Sequence, residues 1–170
     1  MNTILIVLAV GLVAGIIIAI TNSKKRKKSI AKLGLEPNQL IFTGKYTSGH
    51  PDLDKPLEAT EMAAIDNDLN IYFTNKDAIL SYIAKIPIDQ IENITIEDAS
   101  TIERRVTAGR LLVTGIFAFA IKKKKKDEMS YLIIEWNDGK FKHETIFEFV
   151  NNGAIEKSNE ARNFLIRKIR

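Results

Sequence analysis

The sequence predicts a mainly β domain, closed by a C-terminal α-helix and preceded by one transmembrane helix. Three observations predict it. Residues 3–20, TILIVLAVGLVAGIIIAI, carry no charge over a length that matches a bilayer core. Across residues 40–150, short stretches rich in Ile, Val, Phe, Tyr and Thr alternate with clusters of Gly, Pro, Asn and Asp, as strands alternate with turns. After Asn151, Asn152 and Gly153 the apolar period becomes helical.

As a helix, residues 3–20 satisfy their own backbone hydrogen bonds in lipid. Lys24, Lys25, Arg26, Lys27 and Lys28 follow the run, and no Lys or Arg precedes it. The positive-inside rule then predicts a single-pass plasma-membrane anchor with the N-terminus outside and the rest cytosolic. A cleaved secretory signal would need the charges on the other side and a small-x-small site. The absence of cysteine fits a reducing compartment and excludes disulfides and thiolate chemistry.

The predicted organisation is an anchor over residues 1–23, a basic juxtamembrane linker over 24–38 stopped by Gly34 and Pro37, and one domain over 39–170. Within the domain, strands are expected at residues 40–46, 60–66, 69–74, 79–86 and 91–97. Asp66, Asn67 and Asp68 suit one tight turn, and Asn75, Lys76 and Asp77 another. Residues 131–136 and 141–150 flank Asn137, Asp138 and Gly139, the strongest hairpin signal in the chain. In the second arm Phe141, His143, Thr145, Phe147 and Phe149 share the face expected to be buried. Ala161, Phe164, Leu165 and Ile169 then form the stripe of an amphipathic helix, expected to cover the open end of a small antiparallel barrel or sandwich through Leu165 and Ile169. Residues 107–121 are continuously apolar towards their end and fit a core strand, a short helix or an interfacial segment.

This order of elements resembles the pleckstrin-homology (PH) superfold, particularly its bacterial and GRAM-like members. LNIYFTNK, residues 69–76, is similar to the GRAM-type strand ending in a Thr-Asn turn, and IPIDQIENI, residues 86–94, to the segment after the next strand. The resemblance implies a PH-like barrel and a non-catalytic module that binds lipid headgroups, peptides or proteins beside a membrane. Many phosphoinositide-binding members carry several Lys and Arg around the loop after the first strand. Here residues 47–57 offer Lys55 beside Asp52 and Asp54.

Charge points to two patches. Setting aside Lys24, Lys25, Arg26, Lys27, Lys28 and Lys122, Lys123, Lys124, Lys125, Lys126 leaves 15 of the 25 Lys and Arg against 21 Asp and Glu. The body is thus acidic, and the two patches are the expected contacts with anionic lipids, each Lys or Arg contributing up to about 1 kcal/mol near such a surface. Five consecutive lysines also suit a solvated turn. The acidic body and the lack of an RNP-like motif argue against nucleic acid as a partner. Gly11 and Gly15 form GxxxG in the span, a spacing that permits close helix association in a homo-oligomer or with a membrane protein partner.

Nothing in the sequence suggests a cofactor or a metal. His50 beside Asp52 and Asp54 is expected in a solvated turn, and His143 as a hydrogen-bonded core residue. No phosphate loop, dinucleotide fingerprint, nucleophile elbow or HExxH pattern occurs. The expectation is a membrane-anchored binding or scaffolding module, contacting lipid, protein or both. A membrane-associated enzyme with an unrecognised site is the alternative.

Overall fold

The computed structural model describes residues 2–107 and 129–169. Helix α1 (Asn2–Lys32) is followed by strands β1 (Leu40–Ser48), β2 (Leu57–Ile65), β3 (Asp68–Thr74), β4 (Leu80–Pro87) and β5 (Ile91–Asp98). Helix α2 (Ala99–Thr107), strands β6 (Met129–Asn137) and β7 (Lys142–Val150) and helix α3 (Ala154–Ile169) complete the order. The molecule is mainly β, a seven-stranded antiparallel sheet with a helix at either end of the chain.

The sheet order is β4-β3-β2-β1-β7-β6-β5, so two antiparallel meanders meet at β1, which pairs with both β2 and β7. Irregularities in the β1 ladders fall around Gly44, Tyr46 and Ser48, where bulges increase strand bending and twist. The sheet wraps round one core: Met62, Ile71 and Ile86 of the first meander share a cluster with Leu132, Ile134, Phe147 and Phe149 of the second. Turn chemistry fixes the registers. Asp66 and Gly139 adopt left-handed backbone at φ 51° and 91°, and Asn75 Oδ1 accepts from the N–H groups of Asp77 and Ile79. Gly49, at φ 93°, lies against the Glu144 carbonyl so closely that a Cβ there would sit 1.7 Å from its oxygen. Only glycine fits.

Helix α3 packs on β5, β6, β7 and β1. Ala154, Ser158, Ala161 and Leu165 are its buried stripe, and Arg162 Nε donates to the Ile94 carbonyl at 3.0 Å. Ile169, expected in that stripe, is 38% exposed and lies outside the core cluster that holds Leu165. Strand β7 also differs from expectation. Phe147 and Phe149 enter the core, but Phe141 precedes the strand and is 66% exposed. Ile146 and Glu148, on the face expected to be open, are buried. Ile102 of α2 packs with Tyr131, Ile133 and Ile146 there, so this part of the sheet is covered on both faces. Apart from Thr107, which ends α2, the ambiguous stretch 107–121 lies outside the described residues.

The largest departure is at the N-terminal side. Residues 24–32, expected as a linker, are helical and continuous with the apolar run. The helix ends at the Gly34 turn, with φ 69° and the Leu35 N–H donating to the Ile30 carbonyl at 3.1 Å, a left-handed C-terminal stop. Its 31 residues measure about 46 Å at 1.5 Å per residue.

Candidate functional site

The apolar part of α1 is long and hydrophobic enough to cross a membrane, and none of it is buried against the protein. Ile4, Val10, Leu12 and Ile18 are each 60% exposed or more. A Cβ added at Gly11 or Gly15 would meet no atom within 4 Å, so that face of the helix is open.

The C-terminal third of α1 lies on the outer face of β2, β3 and β4. Ile30 and Leu35 are buried with Ala63, Tyr72 and Leu80 in a cluster separate from the main core. The Ser29 hydroxyl accepts from the backbone N–H of Leu80 at 3.1 Å, so the helix covers the start of edge strand β4. Arg26 makes a bidentate contact with Glu61, at 2.7 and 2.5 Å. Thr74 Oγ1 donates to the same carboxylate at 2.5 Å. Lys25 pairs with Asp77 at 3.3 Å on the surface.

Glu61 sits on a strand with its side chain only 4% exposed. Burial pushes its carboxyl up, but the hydrogen bonds from Arg26 and Thr74 and the guanidinium charge outweigh burial and hold it below the usual range. The Glu61 hydrogen bond correspondingly raises Arg26 despite partial burial. Geometry of this kind, a planar fork on a carboxylate with a third donor, fixes orientation as well as contributing energy.

The first basic patch therefore divides by helix face. Lys25 and Arg26 meet the domain. Lys24, Lys27 and Lys28 are exposed on the remaining faces and make no ion pair among the described residues. The second patch, Lys122, Lys123, Lys124, Lys125 and Lys126, lies outside the described residues. Sequence reasoning missed Glu61, Thr74 and Asp77. The available signal was the spacing of Arg26, Ile30 and Leu33 on one helical face, together with Glu61 directly before the apolar residues 62–65.

A second cluster surrounds Trp136. His50, expected in a solvated turn, is 4% exposed. Its Nε2–H donates to the Lys85 carbonyl at 3.0 Å, and its Nδ1 accepts from the Asp52 N–H at 3.2 Å, which specifies the neutral Nε2–H tautomer. Burial lowers its basicity below the ordinary histidine value, against the opposing effects of the Lys85 carbonyl and Asp52. The indole of Trp136 lies 5.4 Å from the His50 ring and 4.5 Å from that of His143, and donates to Thr145 Oγ1 at 2.9 Å. His143 Nε2 contacts Asp138 Oδ2 at 2.9 Å. That bond, with backbone N–H groups of Phe141 and Lys140, lowers the Asp138 carboxyl to about 2. These rings close one end of the loop between β1 and β2.

An open groove of about 480 Å³ runs between the end of α3 and the start of β1, lined by Leu40, Ile41, Asn163, Phe164 and Arg167. It brings no pair of carboxylates or histidines together. Among the described residues no group of three His, Asp or Glu is placed to hold a metal ion. Compared with protein-family models, with curated proteins and with solved structures, the chain matches none.

Proposed function

We propose that this chain is a membrane-anchored, non-catalytic binding or scaffolding module, a PH-like domain held at the cytosolic face of the plasma membrane. Its contacts in this reading are anionic lipid headgroups, a protein partner or both. The observation that carries the reading is the unbroken helix: the segment long enough to cross a membrane continues into the packing of the domain. The domain is therefore presented at a fixed height and orientation, which suits a surface that must meet something else at the membrane. The strand order, with β1 paired to β2 and β7 and a helix after β7, supports the PH-like part. The charge step at Lys24, Lys25, Arg26, Lys27 and Lys28 supports the cytosolic orientation. His50 and Trp136 support a binding module over an enzyme, since their polar ring atoms are committed to internal hydrogen bonds.

Photo-crosslinking from exposed domain positions in intact membranes tests the reading. Discrete lipid or protein adducts that survive stringent washing are expected, and protease added to intact cells should spare the domain. Digestion from outside would overturn the orientation, and an absence of reproducible adducts from every face would overturn the binding role.

A further inference from the structure

The β3–β4 turn is fixed to α1 at a defined distance from the apolar span. Lys25 Nζ contacts Asp77 of the turn, the Ser29 hydroxyl accepts from Leu80 N–H at the start of β4, and Arg26 is clamped to Glu61, which Thr74 at the end of β3 also holds. From Ile20, the last residue of the apolar run, to Lys25 is five residues, about 7–8 Å along the helix. The headgroup layer on each side of a bilayer core is about 5–8 Å thick. A turn tied to Lys25 therefore lies at the outer boundary of the headgroups when α1 spans.

The composition of the turn suits that level. Lys76 is exposed and Ile79, directly before β4, is 38% exposed. Long cationic side chains are favoured at membrane interfaces, where the apolar stem lies along lipid and the charge stays in water. The single acid of the turn, Asp77, is neutralised by Lys25. Lys24, Lys27 and Lys28 are exposed on the helix within about 6 Å of one another along its axis.

We propose that the β3–β4 turn, through Lys76 and Ile79, is a second contact of this protein with an anionic lipid surface, completing a ring of which Lys24, Lys27 and Lys28 are the other part. The inference rests on the reading that α1 spans a bilayer. It adds a surface on the sheet domain that the anchor alone does not require.

The chain contains no cysteine, so a single introduced thiol reports one site. The full chain is reconstituted in vesicles of phosphatidylcholine and phosphatidylglycerol, spin-labelled at Ile79→Cys, Lys76→Cys, Asn67→Cys or Leu12→Cys. Accessibility to oxygen, which concentrates in lipid, is compared with accessibility to an aqueous nickel chelate. Asn67 lies beyond the opposite end of β3, eight residues before Asn75, about 27 Å from the turn at about 3.4 Å per strand residue. Labels at 76 and 79 should be shielded from the chelate several-fold relative to 67, and the label at 12 should read the bilayer interior. A shielded label at 12 with 79 as open to the chelate as 67 would overturn this proposal and leave the anchor intact. An aqueous label at 12 would overturn the anchor and this inference with it.

Discussion

Replacing Arg26 with alanine should loosen the joint between α1 and the sheet. In the wild type three hydrogen bonds converge on the Glu61 carboxylate, two from the guanidinium and one from Thr74. The variant leaves a carboxylate that is 4% exposed with Thr74 as its remaining side-chain donor. Removing one partner of a buried pair costs about 3–5 kcal/mol. Arg26 is 34% exposed, so water replaces part of what it supplied and about 2–3 kcal/mol is the expected loss. For a domain of this size that is about 6–12 °C in melting temperature. Two further readouts separate this mechanism from general damage. Without Arg26, burial dominates the carboxyl and its folded pKa rises above the unfolded value, so the variant should regain stability as pH falls through that raised pKa. Adding Glu61→Gln to Arg26→Ala should recover part of the loss, whereas independent sites would simply add. Thermal unfolding of the detergent-solubilised full chain, followed by Trp136 fluorescence, is the assay. A melting temperature within a degree of wild type, or strict additivity of the two changes, would refute the idea that the pair holds the helix on the sheet.

The other expectations are smaller in scope. Leu165→Ala should cost about 2–4 kcal/mol in denaturant unfolding, as for a buried leucine, whereas Ile169→Ala should stay within about 1 kcal/mol because that side chain is largely outside the core. Equal losses at the two positions would contradict the packing of α3. His50 in the folded chain resists protonation relative to its ordinary value of 6.5, so the unfolded state binds more protons just below that pH and stability should fall as pH drops from about 7 to 5. His50→Gln should flatten that slope, and an unchanged slope would place the titration elsewhere.

The strands were legible because their signals are local. Six of the seven carry a group of β-branched or aromatic residues, β2 with its Ala63 and Ala64 being the exception, and Asp66 and Gly139 do adopt the left-handed backbone their turns need. Helix α3 was legible from its period, although its last stripe position was not, since sequence does not say where a core ends beneath a helix. What remained hidden depends on contacts distant in sequence. Glu148 and Ile146 read as an outward face until Ile102 of α2 and Tyr131 are seen to cover that part of the sheet. His50 read as solvated because Lys85 and Trp136, which bury it, are 35 and 86 residues away. The continuation of α1 was different in kind: no Gly or Pro stands between Ile20 and Gly34, and reading the five charges purely as a topology signal obscured a helical face that included Arg26, Ile30 and Leu33.

That face changes the electrostatics of the junction. Counted from the sequence, five positive charges follow the span. In the fold, Lys25 and Arg26 are neutralised by Asp77 and Glu61, which leaves Lys24, Lys27 and Lys28 for a lipid surface, joined by Lys76 if the turn reaches it. Arg26 thus acts over contact distance on a buried carboxylate, where screening is weak, whereas Lys25 and the other lysines act on an exposed surface, where attraction is confined to about 8 Å at physiological ionic strength. Salt should therefore weaken the hold on lipid well before it weakens the joint. In the proposed reading, a stiff joint with a salt-sensitive outer ring keeps the orientation of the domain relative to α1 constant while its contact with the bilayer varies, so that a partner at the membrane would meet the sheet from the same side.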